Sequence, residues 1–210
     1  MKLVIGLGNP GPEYHFSPHN LGFAVVDRLA GRRSVRVARK QGHALCGRFR
    51  LGEEEIWLIK PQTFMNGSGV AVKEWMAKQG CGPEDLIVVA DDLDLQWGGI
   101  RVRPKGGSAG HHGLESIVKA IGSQQFLRVR IGVGQERRIE DPVQYLLCPV
   151  RRSQRPEMET VVEHAAEAVE TILSEGITKA MNQFNRRSPV TEAGSRQPKT
   201  QNESLETGDS

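Results

Sequence analysis

Between positions 9 and 19 the chain carries an amide (Asn9), a phenol (Tyr14) and an imidazole (His19), in a segment where Gly8, Pro10, Gly11, Pro12 and Pro18 exclude a regular helix. Further on, Asp91 closes an apolar run, and Asn66 stands just before a helical pattern. An imidazole whose N–H can be received by a carboxylate, with two amides able to share the same mouth, favours a general-base reading. His19, Asp91, Asn9 and Asn66 are the candidate set. No Gly-x-Ser-x-Gly elbow or Cys/His signature supplies a protein nucleophile, so activated water is the economical attacker.

Each of these residues also has a plainer reading. Asn66 suits the N-cap of the helix that follows, where its side chain would satisfy first-turn amides. Asp91, Asp92 and Asp94 are numerous enough for a divalent cation, but such a site needs carboxylates aimed at one point, and no His-Glu-x-x-His partner motif is present. His15 and His19 have the spacing of two metal ligands on a helix. Pro18, however, forces Ser17 toward extended backbone and removes that helix. Gly6, Gly8 and Gly11 match Gly-x-Gly-x-x-Gly, the dinucleotide fingerprint. There the helix opens at the glycines and an acid about 20 residues on holds a ribose. Here the prolines delay the helix to about Leu21, and Val35 to Lys40 carries Arg36, Arg39 and Lys40 instead. The glycines are therefore expected to serve tight turns and close backbone approach.

A second constellation is basic. Gly106-Gly107-Ser108-Ala109-Gly110-His111-His112-Gly113 leads into a helix at Leu114, and Arg101, Arg103, Lys105, Arg128 and Arg130 lie around it. Alternation in Ile-Arg-Val-Arg and Leu-Arg-Val-Arg-Ile puts these arginines on one sheet face. A solvated face would give the same pattern, but five cations beside a glycine loop favour a phosphate-bearing ligand. His111 and His112 together suggest a metal, for which no third ligand is evident.

The elements that must position these groups alternate between strand and helix. Strands are expected at Lys2–Gly6, Ala44–Leu51, Glu55–Lys60, Leu86–Asp91, Ile100–Arg103 and Leu127–Gly134. Helical spacing appears at Leu21 to Leu29, Val70 to Met76, Leu114 to Ile121 and Met158 to Leu173, with Gly176 as a stop and Ile177 to Asn185 as a last helix. The fold class is α/β: one domain, a mixed twisted sheet surrounded by helices. Sites in such sheets collect outside strand carboxyl ends, so the loops after Ile5, Lys60, Val89 and Val102 are expected to converge.

With 210 residues, 38% hydrophobic and 25% charged, the chain suits one core of ordinary size. Cys46, Cys81 and Cys148 lack Cys-x-x-Cys spacing and read as buried or half-buried thiols in a reducing compartment. Neither a signal peptide nor a transit leader is recognisable, which points to the cytoplasm. Residues 188–210 hold too few apolar side chains to offset the entropy of ordering and are expected to form a disordered tail after a domain spanning 1–187. That tail carries four acids against two bases, so residues 1–187 hold +5 of a chain whose net charge is +3. This excess permits a nucleic-acid partner without requiring one.

Gly6-Leu7-Gly8-Asn9-Pro10-Gly11 with Tyr14 and His19-Asn20-Leu21-Gly22 resembles the opening of bacterial-type peptidyl-tRNA hydrolases. Lys60 to Gly69, Asp91 to Leu95, Gly110 to Leu114, Arg130 to Gly134 and Thr178 to Asn182 follow in that family's order along essentially all of 1–187. The resemblance implies hydrolysis of the ester between peptide and tRNA, releasing free tRNA for reuse, with no cofactor or metal; separately, the composition points to no membrane association, and a monomer is expected. The resemblance also implies His19 as general base, Asp91 as its orienting carboxylate, and Asn9 and Asn66 as amides that position water and oxyanion. Tyr14, Phe64 and Met65 would line the cleft, and Arg103, Lys105 and Arg130 would meet tRNA phosphates. One departure stands out: His112 occupies the place of the family's usual Asn in Gly-His-Asn-Gly. An imidazole cannot donate and accept from one amide-like fork, so rate or substrate preference is affected more than reaction class. The alternative is a non-catalytic RNA-binding relative, like the organellar splicing factors that resemble this family. It would keep the basic face without needing the base.

Overall fold

The apolar run Leu3-Val4-Ile5 becomes the centre of the sheet because it can be buried on both faces, as strands of a parallel sheet must be. In a computed structural model that describes residues 1–185, this strand, β1 (Lys2–Gly6), lies between β4 (Glu54–Pro61) and β5 (Leu86–Gln96), parallel to both. β7 (Leu127–Gly134) continues the parallel set beyond β5. Three antiparallel strands complete a seven-stranded sheet: β2 (Arg39–Gln41) and β3 (Ala44–Leu51) beside β4, and β6 (Ile100–Arg103) beside β7. The order is β2-β3-β4-β1-β5-β7-β6.

Alternate side chains of β1 feed two cores, as the two-residue period of a strand requires. Val4 faces α1 (Leu21–Arg32) and α5 (Arg155–Glu175). Leu3 and Ile5 face α2 (Ser68–Gln79) and α3 (His112–Ile121). The long helix α5 buries Met158, Val161, Val162, Ala165, Val169 and Ile172, the stripe seen in the sequence, and ends at Gly176 with φ of 87°. Arg28 and Arg32 of α1 bond Glu163 of α5, and Arg32 also reaches Glu170, fixing the two helices side by side.

Most elements fall where expected, with informative differences. β2 is unpredicted: its Arg-Lys-Gln has no apolar alternation, and it exists only as a backbone partner for β3. β5 runs on through Gln96 past a register shift after Asp92, so the acidic stretch is strand rather than loop. A short helix, α4 (Pro142–Leu147), is capped by the side chain of Asp141, and α6 (Ile177–Phe184) closes the described chain. The expectation that four loops converge holds for those after β1, β4 and the start of the acidic run. The loop after Val102 joins them by a longer route: β6 is antiparallel to β7, so its carboxyl end leaves the sheet at the opposite end of the strands, and the glycine-rich chain travels back to bring Ala109, Gly110 and His111 to the site.

Gly6 shows why the first loop has its composition. A Cβ there would lie 2.1 Å from the carbonyl oxygen of Gly22, and one on Gly22 would lie 2.4 Å from the amide of Leu7. The start of α1 thus packs against the end of β1, occupying the space a dinucleotide loop would need. Cys46 is buried and Cys81 half-buried as expected, whereas Cys148 is exposed where α4 ends against Pro149. The tail expected at 188–210 lies outside the described residues. Among the described residues, no helix is long and apolar enough to cross a membrane.

Candidate active site

The turn Pro18–Asn20 that precedes α1 owes its shape to Pro18. Ser17 takes an extended conformation (φ −81°, ψ 149°), as the residue before proline must, and the short turn then points His19 inward. His19 is 7% exposed, and its Nδ1 lies 2.9 Å and 3.0 Å from the two carboxylate oxygens of Asp91 on β5. A carboxylate only accepts, so His19 Nδ1 carries the proton and Nε2 keeps its lone pair. Asp91 is 2% exposed. Burial alone would raise its carboxyl, but the His111 and His19 rings prevail and hold it well below the usual carboxylate range.

Asn9 is fixed from two sides. Its backbone N–H and C=O each bond the side chain of Asn20 at 2.9 Å, and its Oδ1 accepts the backbone N–H of Met65 at 2.8 Å. Because Met65 donates, the acceptor must be the oxygen, which orients the Asn9 amide and leaves Nδ2 as the donor available to the cleft. Asn66 sits on the turn Met65–Gly67 and is exposed. The N-cap alternative for it does not hold: α2 begins at Ser68 with Gly67 as its flanking residue, and its first-turn Gly69 N–H is met by Ser116 Oγ of α3 rather than by Asn66.

Asn9, Tyr14, His19, Phe64, Met65, Asn66, Asp91, His112 and Arg130 line one cleft of about 490 Å³, closed on its far side by Val143, Leu146 and Leu147 of α4. Phe64 and Val143 are exposed apolar groups on its walls, at 61% and 62%. Met65 is buried, with its sulfur against Gly113, and serves the floor. Arg103 and Lys105 are exposed and lie outside the cleft, on the edge strand and in the chain that leaves it.

The basic face is smaller than the sequence suggests. Arg101 and Arg103 stand opposite Arg130 and Arg128 across the β6–β7 pair. Arg128, however, is 1% exposed and stacks on the Phe126 ring at 4.0 Å. Burial, with the nearby Arg130 adding, pulls its guanidinium down to about 10. It belongs to the interior, while Arg130 reaches the cleft and pairs with Asp92 (Nε to Oδ2, 2.9 Å). Asp91 and Asp92, consecutive on a strand, point to opposite faces, so the three acids do not converge on a cation.

The residue that sequence reasoning missed is His111. It separates from His112: the latter is exposed at the mouth, whereas His111 is 8% exposed and turned inward. Its Nε2 lies 3.0 Å from Asp91 Oδ1, and its Nδ1 accepts the backbone N–H groups of Gly113 (3.1 Å) and Leu114 (3.2 Å) as the N-cap of α3. A polar residue just before the helical pattern at Leu114 is the N-cap signal that points to it. Asn20 is the second residue missed; nothing in its position distinguishes it from a cap for α1. His19, Asp91 and His111 present donor atoms within 4.8 Å of one another, the spacing of a metal trio, with His19 rather than His112 as the partner of His111. Hydrogen bonds already engage all three, and each imidazole would have to give up its N–H to Asp91 for a cation to enter.

A family model described as peptidyl-tRNA hydrolase matches residues 3–192. The chain belongs to that family. The peptidyl-tRNA hydrolase of Koribacter versatilis is 46% identical over 195 residues, covering 92% of this chain and 97% of that protein. That of Solibacter usitatus is 45% identical over 189 residues, covering 90% and 96%. The crystal structure of peptidyl-tRNA hydrolase from Acinetobacter baumannii matches with a TM-score of 0.82 at 33% identity, over 90% of this chain and 96% of that one. Similarity of this extent spans every element that builds the cleft. The family and the α/β fold expected from the motifs are both established.

Proposed function

We propose that the cleft hydrolyses the ester between the peptide and the terminal ribose of peptidyl-tRNA, with His19 as general base. The observation that carries this reading is the buried Asp91–His19 pair, with a lone pair on His19 Nε2, beside an Asn9 amide fixed by Asn20 and Met65. His19 Nε2 takes a proton from water as the water oxygen bonds to the ester carbonyl carbon. The imidazolium that forms is stabilised by Asp91, as in the orienter-and-base logic of a triad with water in place of the serine. Asn9 Nδ2 and the Asn66 amide donate to the developing oxyanion. Collapse of the tetrahedral intermediate breaks the bond to the ribose oxygen, which receives the proton from Nε2. The products are a peptide carboxylate and free tRNA.

Tyr14, Phe64 and Met65 contact the ester end and the peptide, and the exposed apolar walls suit a substrate of varied side chains. Arg130, with Arg103 and Lys105 further out, receives tRNA phosphates; β6 and β7 are the next strands beyond β5, so this edge begins within about 10 Å of Asp91. His112 takes the substrate-positioning place of the family's asparagine. The catalytic unit is residues 1–187, monomeric and cytoplasmic. A non-catalytic RNA-binding role would not require the His19–Asp91 pair or the twice-fixed Asn9. Release of labelled peptide from a peptidyl-tRNA by wild type and by His19→Ala tests the reading. His19→Ala should fold normally and lose about 10² to 10⁴ in turnover, the worth of a general base; full activity on saturating substrate would remove His19 from that role.

A further inference from the structure

We propose that His111 is a positioning residue for the hydrolytic reaction: held in one tautomer by the amino terminus of α3, it donates a fixed hydrogen bond to Asp91 and so governs how strongly that carboxylate holds His19. This rests on the reading of His19 as the base.

The tautomer follows from the partners. Two backbone N–H groups, of Gly113 and Leu114, approach Nδ1 at 3.1 Å and 3.2 Å, and a donor can only be met by a lone pair. A proton on Nδ1 would displace both. The ring that makes these contacts therefore carries its hydrogen on Nε2, and at 3.0 Å from Asp91 Oδ1 that N–H is the donor. An N-cap is ordinarily Ser, Thr, Asp or Asn, each of which satisfies the helix with its side chain and ends there. Histidine adds a second, outward-facing donor on the same rigid ring, which turns the end of α3 into a fixed hydrogen bond aimed at the strand.

Asp91 Oδ1 is consequently shared. It accepts from His19 Nδ1 at 2.9 Å and from His111 Nε2 at 3.0 Å, while Oδ2 accepts from His19 alone at 3.0 Å. Rotation of the carboxylate would break at least one of these bonds, so its plane is set by two rings from separate elements. Each donor also draws on the negative charge that would otherwise stabilise the other. The remaining surroundings contribute little competing charge. Asp92, next along β5, is engaged with Arg130 of β7, and the Asn9 loop and the Met65 turn face the site with amides and apolar groups. His19 and His111 are the titratable groups bonded to Asp91.

Cap and donor can be separated by mutation. In His111→Asn the shorter side chain still accepts from the first-turn amides but cannot reach Asp91; in His111→Gln a longer amide reaches Asp91 and the cap is lost. Peptide release from peptidyl-tRNA is measured for wild type, His19→Ala and both variants across pH, with melting temperatures alongside. For His111→Asn the expected result is a KM within about twofold of wild type and a kcat lower by about tenfold near neutrality, the scale of a hydrogen bond to a charged group. Its acid limb should move to higher pH by about half to one unit, because a carboxylate relieved of one donor holds the His19 imidazolium more strongly. His111→Gln should return the limb toward wild type despite a larger loss of melting temperature. The proposal is overturned if folded His111→Asn keeps the wild-type kcat and acid limb, or if both variants lose activity in proportion to melting temperature with no movement of the limb. Should His111→Asn not fold, an unmoved limb in His111→Gln supports the proposal and a shifted one overturns it. Failure of wild type to release peptide, or full activity in His19→Ala, instead defeats the reading of the base itself.

Discussion

Replacing Asp91 by Asn removes one charge from the centre of the site and leaves its volume intact, so the structure allows the consequence to be worked out atom by atom. His111 presents only a donor to position 91, which requires the amide oxygen to occupy the place of Oδ1. The amide NH2 then falls where Oδ2 stands, 3.0 Å from His19 Nδ1, and donates to that nitrogen. Nδ1 becomes the acceptor, the ring proton moves to Nε2, and the base loses the lone pair that faces the cleft. The imidazolium also loses its counter-charge. In a Ser-His-Asp triad the same acid-to-amide change lowers kcat by about 10⁴. With water as nucleophile and the Asn9 and Asn66 amides intact, a loss of about 10² to 10⁴ is expected. Single-turnover release of labelled peptide at saturating enzyme measures the chemical step, and tRNA binding measured separately should be unchanged. A rate within about threefold of wild type would refute the tautomer argument, since the wrong tautomer alone forfeits more than that. The same substitution has a signature in stability. The folded-state carboxyl lies below its unfolded value of about 3.9, so its stabilising contribution is complete above that pH and is lost as pH falls through the folded value. The gap in melting temperature between wild type and Asp91→Asn should therefore narrow as pH is lowered from about 5 to about 2.

Arg103→Ala, Lys105→Ala and Arg130→Ala should each weaken tRNA binding and reduce the log–log salt slope by roughly 0.7 to 0.9 for every phosphate that is no longer neutralised, with the chemical step spared; unchanged slopes in all three would move the tRNA surface elsewhere. Asn20→Ala removes both bonds that hold the Asn9 backbone and should lower kcat by about tenfold with KM little changed, and equal kcat values would show that Met65 alone fixes Asn9. His112→Asn restores a group that donates and accepts from one plane, so it should maintain or raise peptide release and alter the acid limb, while His112→Ala should lower activity by less than His19→Ala. Superimposable pH profiles for wild type and both His112 variants would make this histidine a spacer in the turn.

The parts of the fold legible in the sequence are those where burial dictates residue type. β1, β3, β6 and β7 have the predicted limits, because their apolar positions must meet helices on one or both faces. β2 was not legible, since a strand that contributes only backbone pairing needs no side-chain pattern. The end of β5 was not legible either: Asp92 to Gln96 lies beyond the core, and charged residues there are compatible with loop and strand alike. The direction of β6 is the most consequential omission. Ile-Arg-Val-Arg announces a strand whichever way it runs, and only its pairing with β7 places Arg103 toward the end of the sheet away from the cleft.

In the site, the residues legible in advance are those whose type is improbable without chemistry; the ones missed are those whose type is common for structural reasons. His19 and Asp91 stand out because a carboxylate closing an apolar run and an imidazole on proline-broken backbone have little structural purpose. His111 and His112 are chemically identical neighbours, and nothing local tells them apart until the helix start is fixed. Once α3 begins at His112, His111 becomes the cap and turns inward, while His112, one residue into the helix, projects to the mouth. Arg128 and Arg130 divide in the reverse sense: their shared sheet face is correctly read, yet Phe126 offers a stacking surface that draws the first inward, and Asp92 holds the second at the cleft. In both pairs, burial is decided by a neighbour outside the alternating pattern. The resulting site gathers its base from a turn, its carboxylate from a strand and its second donor from a helix cap. A shift of any one of these elements is therefore registered at the same carboxylate, and the pH profile of hydrolysis is the measurement through which each becomes visible.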